Sequence, residues 1–280
     1  MKKVIFIDID GTLVGFDSKA PQSAIDAIRQ TRKNGNLVFI CTGRSNPEIL
    51  PSIRDIGFDG IIGAGGAYIE IDNQVVKHET LPESTVRELL ELFREEKIGC
   101  YLETNNGLFS NDYCISSIHD NLLAGLPDTP EVKEKTLSQV EWFTSLLKDM
   151  RNHELEYNQI NKICFINKNY PFESIERDFG EKVELHHSTI PQYGQNSGEA
   201  GVKNQDKYAA INFVLDYLDL DKTDSIGLGD GDNDIAMFSA VGLGIAMANG
   251  TDKLKAVADD VTAAVDEDGL AKAFNKYELI

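Results

Sequence analysis

The sequence predicts an α/β protein, a doubly wound parallel sheet interrupted by an inserted α+β module. Three observations carry that reading. Short apolar runs alternate with helix-like segments in both terminal parts of the chain, and strands apolar on both faces belong in a parallel sheet covered on two sides. Between about residues 83 and 189 the rhythm changes, and it resumes at Asp206. The polar residues that stand out follow the carboxyl ends of the apolar runs, where open parallel sheets bind their ligands.

The elements follow in order. Residues 3–7 read as a buried strand. A helix is expected over Pro21–Asn34, with Pro at its start and Gly35 past its end. Asn36–Cys41 is a continuous apolar strand, Pro47–Ile56 a short helix stopped by Gly57, and Gly60–Gly63 a third strand. Ala67–Lys77 reads as a hairpin turning at Asp72-Asn73. After Pro82 a charged helix runs over Glu83–Glu96, then a strand over 99–103 and an Asn-Asn-Gly turn at 105–107. Helical stretches follow, among them Ser138–Met150 with the single tryptophan, Trp142. Strands 160–166 and 183–187 flank a helix over Pro171–Phe179. The Gly/Ser/Gln-rich segment Pro191–Gly201 is expected as the return linker. The core domain is thus placed at 1–81 and 190–280, and the inserted module at 82–189. A helix over Asp206–Leu218, a strand over Ser225–Leu228, a helix over 233–240, a strand over 242–247 and a helix from Gly269 complete the core.

Composition narrows the function. Apolar residues make up 41% of 280, enough for a proper core. The net charge of −19 argues against non-specific nucleic-acid binding, which relies on basic patches, but leaves room for a phosphorylated substrate beside a local cation. Cys41, Cys100, Cys114 and Cys164 form no CxxC pair, so reduced thiols in a cytosol are the simpler reading than a zinc site or a disulfide framework. The opening MKKVIFIDIDG reads as a first strand and not a signal peptide, and no apolar run approaches membrane-spanning length. A cytoplasmic protein is expected, a monomer or weak homodimer.

The first strand ends in Asp8 and Asp10, two carboxylates that repel unless solvated or bridged by a cation. Thr42-Gly43-Arg44 follows the second strand, and Asp230-Gly231-Asp232-Asn233-Asp234 a late one. Taken alone, the late run reads equally well as a solvated acidic turn with a helix cap, and Asp232 fits that role. The EF-hand's distant glutamate and flanking helices are missing. Paired with Asp8 and Asp10, the run favours Mg²⁺, a hard cation held by one or two carboxylates with waters and substrate phosphate. That points to phosphoryl transfer: one aspartate as nucleophile, a second carboxylate as acid and base, and donors on the phosphoryl oxygens. Thr42 offers a hydroxyl, and Gly11 and Gly43 allow close backbone approach. A phosphate-binding lysine is sought at Lys203 or Lys207, for each of which a solvated helix-start lysine is the bland alternative. Lys207 opposes the helix macrodipole, which makes a role there more plausible.

Together these residues resemble the haloacid dehalogenase superfamily of aspartate-nucleophile phosphatases. Asp8-Ile9-Asp10-Gly11-Thr12 matches its DxDGT motif, VFICT its second motif ending in Thr42, and Gly229–Asp234 its GDxxND motif. Lys207 with the following AAINFV fits the lysine-helix spacing, which Lys203 does not, although Tyr208 stands where glycine is usual. GIAMANG is similar to GxAMxNA and brings in Asn249. The insert resembles a C2-type cap, and the whole chain the Cof-like type IIB sugar-phosphate phosphatases with their Rossmann-like core. The resemblance implies that Asp8 attacks phosphorus and Asp10 is the acid/base. It implies Mg²⁺ on Asp8, the Asp10 backbone carbonyl and Asp230, with Asp234 and Asn233 ordering its waters or neighbours. It places Thr42, Gly43, Lys207 and Asn249 at the phosphate. Arg44 touches phosphate or sugar, or is an exposed structural arginine. The expected substrate is a small phosphorylated metabolite. Product analysis separates hydrolysis from the alternative, a sugar phosphomutase, and turnover separates both from a non-catalytic sugar-phosphate-binding protein. Cap contacts are sought at Asn105, Asn106, His186 and His187, for which turn formation or solvent exposure are the plain alternatives.

Overall fold

The computed structural model describes residues 2–15, 19–188, 190 and 193–280; Pro191 and Gln192 of the expected linker lie outside them. The chain forms two compact units, one of Met1–Arg44, Ile49–His78 and Gln205–Ile280, the other of Ser45–Glu48 and Glu79–Asn204. In chain order the first unit begins with β1 (Val4–Ile7), α1 (Gln22–Lys33), β2 (Leu37–Cys41), α2 (Pro51–Arg54), β3 (Gly60–Gly63), β4 (Tyr68–Ile71) and β5 (Gln74–His78). The second unit contributes α3 (Glu83–Glu95), β6 (Gly99–Thr104), β7 (Gly107–Ser110), α4 (Cys114–Leu123), α5 (Pro130–Ser138), α6 (Glu141–Thr144), β8 (Leu147–Asp149), β9 (Lys162–Ile166), α7 (Phe172–Phe179), β10 (Glu184–His187) and β11 (Gly198–Gly201). The first unit resumes with α8 (Lys207–Tyr217), β12 (Ser225–Gly229), α9 (Asp234–Ala240), β13 (Leu243–Ala246), α10 (Asp252–Val257), β14 (Asp260–Val261) and α11 (Gly269–Lys276).

The first unit's sheet runs β14-β13-β12-β1-β2-β3-β4-β5. It is parallel from β14 to β3 and antiparallel beyond. All four residues of β1 are fully buried, and they alternate between faces. Val4 and Phe6 pack with Phe39 against Ile211 and Val214 of α8 and Met237 of α9. Burying side chains of this size contributes roughly 1.5–3 kcal/mol each, so the strand carrying Asp8 is anchored on both faces. The hairpin turns where expected, with Asp72 and Asn73 both at positive φ, as a two-residue turn matched to strand twist requires.

The second unit is a six-stranded sheet, β10-β11-β9-β6-β7-β8, antiparallel except where β8 joins β7. Phe93 of α3 and Ile175 of α7 pack on one face with Leu102 and Phe165. The other face carries a smaller apolar cluster around Tyr101, Ile118 and Phe143.

Three expectations are corrected. The helix expected over Pro47–Ile56 is two pieces, a 3-10 turn at Asn46–Glu48 and α2. Pro51 has no N–H to donate and its ring would meet the carbonyl four residues back, so one helix cannot pass through it. The helix expected over Ser138–Met150 is replaced by the end of α5, the single turn α6 and the strand β8. Ser138, Thr144 and Ser145 hydroxyls donate to carbonyls three residues back, and such bonds compete with continuing helix. The expected linker instead contains β11, which pairs with β10 on one side and β9 on the other. The second unit comprises Ser45–Glu48 and Glu79–Asn204, where an insert over 82–189 is expected from the sequence. Among the described residues no helix is long and apolar enough to cross a membrane.

Candidate active site

β12, β1 and β2 are neighbours at the centre of the first unit's sheet, so the segments leaving their carboxyl ends converge. Asp8 continues β1 by donating its N–H to the Leu228 carbonyl at 3.0 Å, and Thr42 continues β2 by donating to Ile62 at 2.9 Å. Both are buried.

Lys207 ties the convergence together. It is the first residue of α8, behind the cap Asp206, whose side chain accepts the Ala209 N–H at 2.8 Å. Its ammonium, 3% exposed, donates to Asp8 Oδ1 at 2.7 Å and to Asp234 Oδ1 at 2.6 Å. Asp234 opens α9, and its Oδ2 accepts the N–H groups of Asp230 and Gly231 at 2.9 and 3.0 Å. One carboxylate thus fixes both the lysine and the backbone of the acidic loop. Gly66, at φ +114°, lets a loop lie against Asp206; an added Cβ there would fall 2.4 Å from the Asp206 carbonyl oxygen. Asp206 and Gly66 are supporting residues that the sequence reading passed over. The cap signal, Asp two places before Tyr208-Ala209, and the Gly65-Gly66 pair are visible in the chain.

Asp230 is held from the other side by Thr12, whose hydroxyl donates to Oδ1 at 2.9 Å. Gly11, at φ +78°, is required there: a Cβ would sit 2.1 Å from Asp230 Oδ2. Asn249 is engaged at both ends of its amide, donating to the Gly11 carbonyl at 2.8 Å and accepting the Val265 N–H at 3.0 Å. Its place is therefore that of a brace for the Gly11 turn. Arg44 is not a solvated arginine. Its side chain is 9% exposed and grips the carboxylate of Asp10, which is 61% exposed. Among the described residues, no atom lies within 4 Å of where a Cβ on Gly43 would be. Asn233 precedes α9, is exposed, and makes no capping bond. Asp232 is tied to Thr251 and Lys253, in keeping with a solvated turn. Lys203 is not among the partners of Asp8 or Asp234.

The cluster sets the carboxylates of Asp8, Asp230 and Asp234 beside the single ammonium of Lys207. Burial pushes the Asp8 carboxyl up to about 8, against the pull of Lys207 and with the help of Asp234. Burial also raises Asp230 to about 6, opposed by the Thr12 hydrogen bond. Burial disfavours the Lys207 ammonium, but Asp8 and Asp234 outweigh it and its affinity for the proton is raised. Carboxylate oxygens of Asp8, Asp230 and Asp234 lie within 4.8 Å of one another. An all-oxygen donor set with excess negative charge fits a hard divalent cation. Asp8 and Asp230 are the residues suited to hold it, since both Asp234 oxygens already accept hydrogen bonds.

The chain is similar to known proteins over nearly its whole length. The family model described as haloacid dehalogenase-like hydrolase matches residues 5–274. YkrA of Bacillus subtilis (strain 168) is 30% identical over 282 residues, covering 99% of this chain and 98% of that one. The 5-amino-6-(5-phospho-D-ribitylamino)uracil phosphatase YwtE of the same organism is 25% identical, covering 96% of each chain. Among solved structures, BT1666 of Bacteroides thetaiotaomicron, described among phosphatases of the haloalkanoate enzyme superfamily, superposes with a TM-score of 0.75 at 28% identity. That match covers 100% of this chain and 96% of that one.

Proposed function

This chain belongs to the haloacid dehalogenase-like hydrolases, and from that premise we propose that it is a Mg²⁺-dependent phosphatase of small phosphorylated metabolites, sugar or polyol phosphates foremost, acting through an aspartyl-phosphate on Asp8. The observation that carries the reading is the Lys207 bridge, which pins Oδ1 of Asp8 while Asp10, on the same turn, stays open to solvent. A nucleophile needs an oriented, ionised oxygen, and an acid/base needs access to the leaving group and to water.

In this reading Asp8 Oδ2 attacks phosphorus and the bond to the leaving alcohol oxygen breaks. Asp10 gives that oxygen its proton. Asp10 then takes a proton from a water that attacks the phosphoryl-aspartate, and inorganic phosphate leaves as Asp8 is restored. The Lys207 ammonium and the Thr42 hydroxyl are the donors for the phosphoryl oxygens, and preorganised donors of this kind supply much of the rate enhancement in such transfers. Mg²⁺, when bound by Asp8, Asp230 and the Asp10 carbonyl, supplies charge neutralisation on the phosphoryl group. Asp234 acts through its neighbours, holding Lys207 and the Asp230 loop in place. The preference for sugar or polyol phosphates is supported by the substrate in the name of YwtE, a phosphorylated ribityl chain.

The test is release of inorganic phosphate from p-nitrophenyl phosphate and a panel of metabolite esters, with Mg²⁺ and with EDTA. Release that needs the metal and disappears in Asp8→Asn supports the reading. Full activity in pure Asp8→Asn overturns it.

A further inference from the structure

Thr42 follows β2 and Lys207 opens α8, so neither element by itself fixes the distance between the two donors. The short turn Ala64–Gly66, between β3 and β4, reaches toward both. Its Gly65 N–H donates to the Thr42 carbonyl at 3.1 Å, and its Ala64 N–H to the Arg44 carbonyl at 2.8 Å. The Arg44 N–H in turn donates to the Thr42 hydroxyl oxygen at 3.1 Å, so the hydroxyl's own proton is directed away from Arg44. On its other side the turn meets Asp206. A Cβ on Gly66 would fall 2.4 Å from the Asp206 carbonyl oxygen and 3.2 Å from its nitrogen, both backbone atoms. That carbonyl accepts the Ala210 N–H at 3.1 Å, one of the bonds that open α8.

The turn is held in an unusual shape. Ala64, Gly65 and Gly66 have φ of +49°, +65° and +114°, three successive residues in the left-handed range. The two glycines tolerate it, but Ala64 is buried and carries a side chain that resists it. Backbone strain of this kind persists where the surroundings over-determine it, and it clusters at functional sites. Lys207 depends on those surroundings. At the first position of α8 its backbone has no helical turn before it. It is placed by the Asp206 side chain, which accepts the Ala209 N–H at 2.8 Å, and by the backbone face that Gly66 abuts.

We propose that Gly66 and Asp206 are positioning residues for phosphoryl transfer, acting through Lys207, and that the Ala64–Gly66 turn is the fixed point that holds the lysine's helix in register with Thr42. The proposal rests on the phosphatase reading above. Asp206 acts as a cap and not as a charge. Its carboxylate stands beside an anion site, where a negative charge opposes phosphate. Position and charge therefore predict opposite signs when the side chain is removed.

The experiment titrates the full chain, with Mg²⁺, calorimetrically with inorganic phosphate, and follows phosphate release from p-nitrophenyl phosphate. The unsubstituted protein is compared with Asp206→Ala, Asp206→Asn and Gly66→Ala, each checked for folding by thermal unfolding. Asp206→Asn keeps the cap and loses the charge. Asp206→Ala should weaken phosphate binding about threefold or more and lower kcat with it, while Asp206→Asn binds phosphate at least as tightly as the unsubstituted protein. A folded Gly66→Ala should weaken phosphate binding about tenfold or more. Phosphate binding in Asp206→Ala that is unchanged or tighter overturns the proposal, and so does an Asp206→Asn as weak as Asp206→Ala. A folded Gly66→Ala that binds phosphate like the unsubstituted protein overturns it as well. Should Gly66→Ala fail to fold, the Asp206 pair decides. An unsubstituted protein that neither binds phosphate nor releases it from the ester fails the phosphatase reading, and the proposal with it. One that does both, with any of the overturning results in the variants, fails the proposal alone.

Discussion

Arg44 holds both carboxylate oxygens of Asp10, with Nε 2.8 Å from Oδ2 and Nη2 2.6 Å from Oδ1. The arginine is nearly buried and the aspartate mostly exposed, so the fork fixes a mobile surface carboxylate from below. In the proposed reaction, one arm of the fork must open before the Asp10 carboxylate can carry the proton it passes to the leaving group.

The two residues are expected to be coupled in rate and nearly uncoupled in stability. With Asp10 mostly exposed, solvent screens the pair, so an Asp10→Ala and Arg44→Ala cycle in urea should show a coupling of about 1 kcal/mol. In phosphate release, Asp10→Ala should cost about 10²-fold or more in kcat, and the double variant should be little worse than Asp10→Ala alone. Additive losses in kcat would mean that Arg44 acts on something other than Asp10.

Lys207 is the residue whose loss the fold should feel most. Lys207→Met leaves Asp8 and Asp234 buried without their cation, and breaking such a network costs about 3–5 kcal/mol. Denaturant unfolding in EDTA should show that loss, with Mg²⁺ recovering part of it through Asp8. Activity should fall below detection in either condition.

Gly11→Ala should act through the metal. The added methyl would lie 2.1 Å from Asp230 Oδ2 in a backbone conformation that alanine resists. Asp230 must move, and the Mg²⁺ concentration for half-maximal phosphate release should rise about tenfold or more. An unchanged activation constant would place the metal away from Asp230.

Glu103 sets a pH signature on stability. Its carboxyl titrates near 8 in the folded chain and at the ordinary glutamate value when unfolded. Between those values the folded state holds a proton that the unfolded state has released. Stability from this group is therefore full at low pH, declines as pH rises from about 4.5 to about 8, and is flat above, with a slope of at most about 1.4 kcal/mol per pH unit. Subtracting the Glu103→Gln curve from that of the unsubstituted protein should isolate the slope. A flat difference would mean that Glu103 is ionised in the fold.

The central sheet and the cluster on it were legible because their signals are local. Asp8, Thr42 and Asp230 each follow a short apolar strand, and Lys207 and Asp234 each open a helix, so the parallel-sheet rule alone brings them to one edge. What Arg44 and Asn249 touch was not legible, because it depends on which loops meet: Arg44 reaches back to Asp10 and Asn249 to Gly11. Strand β11 was hidden for another reason. Gly198-Glu199-Ala200-Gly201 has almost no intrinsic strand preference, and it is extended because neighbours pair with it on both sides. The polar array of Glu103, Lys162 and Glu199 on β6, β9 and β11 was invisible with it, since the three share a face only once that register is known.

The pairing of β1 with β12 also has a consequence for how the chain is made. Val4 lies beside Ser225, so the strand that carries Asp8 keeps one open edge while the whole inserted unit is synthesised. At common elongation rates of about 5–20 residues per second, that wait is roughly ten to forty seconds. During it Asp8 has neither Lys207 nor Asp230, and the nascent chain is both catalytically silent and a sticky template for stray strands. A ribosome-bound chain halted before β12 should accordingly recruit holdase chaperones, and one released after it should not.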